Sequence, residues 1–374
     1  MNFPIINTID DVLPAIKNHP EFVIKDNFGP YVSIDYIYAD ENTFDCPIRR
    51  ECRGIKFSKD GKILARPYHK FFNLEEKEET KSDKINWNTP HKILEKLDGS
   101  MVHPALINGQ LVWMTRAGET EISKAAGNWA NENFGDRLEL IIDLLEKNFT
   151  PIFEWCSPTN QIVLRYSTDR LIFTAIRHNL TGIYEEVYSH DIFIIPKELN
   201  PISPTILKSF ISDVRGLKNQ EGYVIRFNNG FMIKLKADEY VLRHKIFSDF
   251  LFEKNVLEIV LKNLVDDVLL VLSDEMAEKF HQYSNAVNSY ILYTATNLKE
   301  KVNSAFDLYN KDRKQFALNF VPSLNPLLKS IAFNILDGKD AHETYRDFVL
   351  RHCGSSNDVE KVRSLIGDLK WELH

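Results

Sequence analysis

KILEKLDGSMVHPALINGQLVWMT, residues 92 to 115, decides the fold of this chain. Its apolar and polar residues alternate as in half-buried strands, and Asp98-Gly99 and Asn108-Gly109 are steps that close short loops. Short loops pair strands antiparallel, so the stretch predicts an antiparallel sheet. It also places Lys96 beside Glu95 and Asp98 among the apolar Leu94, Leu97 and Met101. A solvated hairpin edge accounts for that lysine, and so does a lysine used as a nucleophile.

Outward from this stretch the same character continues to about residue 245. YVSIDYIYA (31–39), RGIKFSKDGKILARP (53–67), PIFEWCS (151–157), QIVLRY (161–166), RLIFTAIRHNLTGIY (170–184) and GYVIRFNNGFMIKLK (222–236) all read as β-rich runs. Apolar residues at helical spacing predict a helix over 121–147, interrupted near Gly135. Beyond 245 the pattern changes. No glycine falls between 231 and 337 and no proline between 205 and 321. Apolar residues at 257, 260, 261, 264, 265, 268 and 272, then 280, 283, 287, 290, 291 and 294, have the period of amphipathic helices. The expected class is α+β: an antiparallel-sheet domain over 1–245 followed by an all-α domain over 246–374.

The chain has 374 residues, 44% of them hydrophobic, a length that suggests two domains, or one large domain with an appendage, and is ample for a sizeable core. No apolar run reaches the roughly 18 residues of a membrane span. The start carries Asp10 and Asp11 and lacks a basic segment before an apolar one, so it does not read as a signal peptide. Four scattered cysteines without a CxxC fit reduced thiols in a cytoplasm. With a net charge of −7, a protein that coats nucleic acid through its phosphates, which is usually basic, is disfavoured. Any contact with nucleic acid is confined to a local basic site, which favours an enzyme.

HExxH, GxSxG and GxGxxG are all absent, and the Gly61-Lys62 pair lacks the spacing of a phosphate loop. What remains is a set of charges embedded in β-runs: Arg53, Lys70, Lys96, Asp98, Glu154, Glu221, Lys234 and Lys236. Taken singly, each is what the outer face of a half-buried strand carries, and KxDG arises by chance in roughly one chain in ten. Together they say more. Lys234 and Lys236 share strand parity and present two cations to one face. Glu154 stands between aromatic neighbours, where an unpaired carboxylate costs several kcal/mol. One pocket for a polyphosphate, a ribose and a divalent metal reconciles them.

KLDG (96–99), IFEW (152–155), EGYVIRF (221–227) and IKLK (233–236) occur in the order of the covalent nucleotidyltransferases, the polynucleotide ligases and mRNA capping enzymes, which the chain resembles. It is most similar to the phage RNA ligase 1 branch of T-even phages. DYIYA (35–39), ECRGIKF (51–57), HKFFNL (69–74), PTNQIVLRY (158–166), KADEYV (236–241) and KDRKQFA (311–317) extend the resemblance over nearly the whole chain.

That resemblance implies an ATP-dependent RNA ligase with a nucleotidyltransferase domain over 1–245 and a helical domain over 246–374 that sets RNA preference. A lysine attacks the ATP α-phosphorus, AMP passes to an RNA 5′-phosphate, and an RNA 3′-hydroxyl displaces it. Lys96, in a motif with Asp98, matches the nucleophile. Neighbouring cations and partial desolvation favour a neutral amine, and Lys234 and Lys236 are placed to supply the first. By resemblance those two contact phosphate, Glu154 the ribose, and Arg53 and Lys70 the triphosphate or RNA phosphate. Tyr36, Phe72, Gly99 and Gly222 match positions around the nucleotide. Glu221 and Asp266, the latter with Asp267 as its neighbour in register, match carboxylates for Mg²⁺ or Mn²⁺. The implied partners are RNA ends, above all tRNA halves, and a separate polynucleotide kinase/phosphatase. The implied setting is a monomer in the cytoplasm, a host cytoplasm if phage-encoded, with no membrane.

One departure stands out. TRAGE (115–119) has Ala117 before Gly118 where near relatives carry a lysine, and Arg116 is the candidate replacement. A capping guanylyltransferase or DNA ligase is the alternative, disfavoured because a barrel needs turns that the glycine-free tail lacks. A non-catalytic RNA-binding relative is the other.

Overall fold

The computed structural model describes residues 2–26, 29–185, 192–269, 272, 274–354 and 356–372. The chain divides into two compact units, Met1–Leu242 and Arg243–His374.

The first unit is built on β1 (Phe22–Lys25), β2 (Tyr31–Tyr36), β3 (Ile55–Ser58), β4 (Ile63–Ala65), β5 (Phe72–Asn73), β6 (His91–Glu95) and β7 (Ser100–Ile107). It continues through β8 (Gln110–Thr115), β9 (Phe149–Cys156), β10 (Arg170–His178), β11 (Tyr184–Glu185), β12 (Glu198–Leu199), β13 (Gly222–Phe227) and β14 (Met232–Lys236). These form three sheets, ordered β1-β2-β3-β4, β11-β10-β9-β7-β8 and β12-β6-β13-β14-β5. The pairs are antiparallel except β14 with β5, which is parallel. The opening stretch therefore serves two sheets: β6 belongs to one, β7 and β8 to another, and residues 96–99 cross between them.

Local chemistry explains several boundaries. Pro104, which has no N–H to give, lies on β7 beyond the point where β7 pairs with β9, and faces Trp113 of β8. The helix expected over 121–147 is two helices, Glu121–Asn133 and Arg137–Glu146, with Gly135 at φ +53 between them. Thr120 caps the first by accepting the N–H of Ser123. The strand expected over 161–166 does not form. Val163 and Leu164 instead donate their N–H groups to Asp98 Oδ2, at 2.8 and 2.5 Å, so a carboxylate replaces a strand partner. Phe153, Phe173, Trp155 and Phe193 close the core between the second sheet and the paired helices, each worth about 1.5–3 kcal/mol.

The second unit is helical, with no strand after Lys236 among the described residues. Its helix Asp274–Leu308 buries Phe280, Tyr283, Val287, Ile291, Ala295, Leu298 and Val302 at intervals of three and four. Leu264, expected on an apolar face, is exposed, because the helix Glu253–Leu261 has already ended and Asn263 adopts φ +56. Among the described residues no helix is long and apolar enough to cross a membrane.

Candidate active site

The crossover Lys96–Gly99 is fixed along its length. Lys96 donates its N–H to the Gly222 carbonyl at 2.9 Å. The backbone of Gly99 runs so close to β9 that a Cβ there would stand 2.4 Å from the Trp155 carbonyl oxygen, which no larger residue can tolerate. Asp98 is 1% exposed. Its Oδ1 accepts the Tyr240 hydroxyl at 2.6 Å, its Oδ2 accepts Val163 and Leu164, and its own N–H bonds the Tyr166 hydroxyl at 3.0 Å.

Held in this way, the Lys96 ammonium lies 2.9 Å from Glu221 Oε1, and the Lys236 ammonium lies 2.9 Å from the same oxygen. Lys96 is thus placed by a carboxylate as well as by cations, where the sequence alone pointed to cations. Glu221 is 2% exposed, and its single carboxylate serves two ammonium groups.

Lys96 opens onto a cavity of about 260 Å³ whose walls include Tyr36, Arg53, Lys70, Gly99, Glu154 and Lys234. Burial, reinforced by Lys70, Lys96, Arg53 and Lys236, pushes the Lys234 ammonium down to about 7. Burial pushes the Glu154 carboxyl up to about 7; Glu221 adds to the effect, and Lys96 and Arg53 oppose it. Lys70 sits 5.5, 5.1 and 5.5 Å from the ring centres of Tyr36, Phe44 and Phe72, an aromatic cage that holds a cation without neutralising it. Lys234 lies 5.0 Å over Phe71. An excess of cations facing one cavity, with aromatic and aliphatic walls, suits a nucleoside polyphosphate.

Residues 51–241 match the family model for RNA ligase, a span that holds all of these charged residues. The chain belongs to the RNA ligase family. This ligase is 30% identical over 323 residues to a protein of Thermovibrio ammonificans assigned as an RNA ligase, with 82% of each chain covered. It is 24% identical over 247 residues to RNA ligase 1 of bacteriophage TS2126, covering 61% of this chain and 62% of that one. Among solved structures, an archaeal ATP-dependent RNA ligase is similar at 13% identity and a TM-score of 0.46, over 65% of this chain and 66% of that one.

Not every residue singled out from the sequence of the ligase reaches the cavity. Asp98, Gly222, Glu221 and Lys236 stand behind its wall, joined to it through Lys96. Phe72 is 3% exposed and supports Lys70, while its neighbour Phe71 takes the wall position, the one-residue parity of a short strand deciding between them. Asp266 lies in the second unit, exposed on the helix Val265–Leu269. The side chain of Asp267 falls outside the described residues. Among those described, no group of three His, Cys, Asp or Glu is arranged to hold a metal ion. A divalent cation here would draw most of its oxygens from phosphate, with Glu154 the carboxylate on the wall and Glu221 engaged by two lysines behind it.

Tyr68, Phe71, Met101, Thr174 and Arg226 of the ligase line the cavity without having been anticipated. Arg226 shares strand parity with Val224, another wall residue, and that parity was the available signal. Nothing local marks Tyr68 or Thr174. Arg116 pairs with Asp35 at 3.0 Å and lies 4.7 Å over the Tyr36 ring, so its charge stands behind the wall.

Proposed function

We propose that this chain is an ATP-dependent RNA ligase that works through a lysyl-AMP intermediate on Lys96. The observation that carries the reading is the convergence of Lys96, Lys234, Lys70 and Arg53 on one cavity, with Lys96 held by Glu221 from behind.

ATP enters with its phosphates toward these cations. Lys96 Nζ, having given up a proton, attacks the α-phosphorus; a P–N bond forms, the bond to the bridging oxygen breaks, and pyrophosphate leaves. Glu221 keeps the amine in line and lies within proton-transfer distance. Lys234 stabilises the charge that grows on the phosphates, Lys236 adds its charge from behind the wall, and Glu154 takes the ribose. Glu154 on the wall, with Glu221 behind it, would offer carboxylate oxygens to a divalent metal, which would supply further charge neutralisation when bound. AMP then passes to an RNA 5′-phosphate, and an RNA 3′-hydroxyl displaces it.

The helical unit reads as the determinant of RNA preference, with cleaved tRNA as the substrate class. A separate kinase/phosphatase is then needed to supply the ends, and a monomer in a reducing cytoplasm completes the reading. Intact-protein mass after incubation with ATP and Mg²⁺ is the test. One added AMP, absent in Lys96→Ala and lost on adding 5′-phosphorylated RNA, is the expected result. A GMP adduct from GTP means capping chemistry, and no adduct on folded, unadenylylated protein means a binding protein.

A further inference from the structure

Lys56 is the unusual residue of β3. Its side chain is among the largest with no exposure at all, and it touches no part of the cavity. Its ammonium donates to the Gly54 carbonyl at 2.7 Å and to the Arg116 carbonyl at 3.0 Å. A methionine or leucine fills such a core position without the desolvation that an ammonium suffers there, so space-filling alone does not account for it.

The two carbonyls belong to segments that press together. Gly54 has φ +84, and a Cβ on it would stand 2.7 Å from the Arg116 carbonyl oxygen. Arg53, next to Gly54, lines the cavity. Arg116 lies over Tyr36, a second wall residue, and pairs with Asp35. One buried ammonium therefore ties together the segments that present Arg53 and Arg116.

We propose that Lys56 is a positioning residue for nucleotide binding, clasping Gly54 to Arg116 so that Arg53 and the Arg116–Tyr36 stack hold the cavity wall. This rests on the reading of the cavity as an ATP site. Burial pushes the Lys56 ammonium down to about 7; Asp35 of β2 favours the charged form, Lys25 of β1 and Arg116 oppose it, and buried His103 of β7 feels its charge. The Asp35 Oδ1 atom is buried without a hydrogen-bond partner, so the clasp sits in a polar pocket of limited compensation.

The test compares the unaltered protein with Lys56→Met, which keeps the bulk and loses the donors, and Lys56→Gln, which keeps an N–H donor. AMP-adduct formation is followed against ATP concentration, beside the melting temperature. For Lys56→Met the expected result is half-saturating ATP raised about tenfold at an almost unchanged plateau rate, with Lys56→Gln recovering part of the loss. In an Arg116→Ala background the effect of Lys56→Met should shrink, because the two act as one unit. Unchanged half-saturation in folded Lys56→Met overturns the proposal, as does a lowered plateau rate alone. If neither variant folds, Lys56 serves folding and the proposal falls. No adduct on the unaltered protein defeats the functional reading and this inference together.

Discussion

The Lys96 ammonium lies 2.9 Å from Oε1 of Glu221, a carboxylate that is 2% exposed and that Lys236 reaches at the same distance. One buried anion thus fixes the amine proposed as nucleophile. Glu221→Gln keeps the shape and removes the charge, leaving two ammonium groups against a neutral amide. Adduct formation should slow at least tenfold, read as the time course of intact mass, about the loss of a single preorganised charge contact. A variant as fast as the unaltered protein would remove Glu221 from the mechanism.

Asp98 accepts three hydrogen bonds from Val163, Leu164 and Tyr240 with almost no exposure. Asp98→Ala strands two backbone N–H groups, and urea unfolding should show a loss of about 3 kcal/mol. Tyr240→Phe removes one donor and should cost about 1–2 kcal/mol. The reverse order would mean that the loop at 163–164 has another anchor.

Glu51 is buried between Arg66, 3.0 Å from Nε to Oε2, and Arg177, 2.8 Å from Nη2 to Oε1. Burial opposes its charge, but the two guanidinium groups prevail and hold the carboxyl at about 2, against an ordinary 4.5. Because the folded value is the lower one, the stabilisation is complete above pH 4.5 and is lost as pH falls toward 2. Its size is on the order of 3 kcal/mol. Acid titration of the unaltered protein should therefore lose stability across that window. Glu51→Gln should be destabilised at pH 7 by about 3–5 kcal/mol, because two buried cations lose their partner.

Lys234 and Glu154 share one wall and both titrate at about 7. Raising the pH from about 6 to 8.5 removes a proton from each, so the cavity becomes less cationic on both counts. Half-saturating ATP should rise with pH over that range, and Lys234→Met should show a higher value with a flatter slope. Equal slopes in the two proteins would place the titrating group elsewhere.

The strands that build the site were legible because alternation and Asp-Gly or Asn-Gly steps are local signals, and β6 through β8 and β13 to β14 depend on little else. The charges were legible as a set because Lys96, Glu154 and Lys234 are expensive to bury singly. QIVLRY misled because Asp98, more than sixty residues earlier, competes for its backbone donors. The parallel pairing of β5 with β14 and the aromatic cage around Lys70 join segments far apart in the chain. Phe44 shows the difficulty: nothing near it in sequence says that it faces a lysine.

The crossover at residues 96–99 is tied at both ends, to the Gly222 carbonyl on one side and through Asp98 to residues 163–164 on the other. An AMP bonded to Lys96 would ride on a tether whose only slack is the lysine stem itself. Such an adduct cannot swing out to seek an RNA terminus. On the proposed pathway delivery falls to the other reactant: the 5′-phosphate must be carried into the cavity mouth.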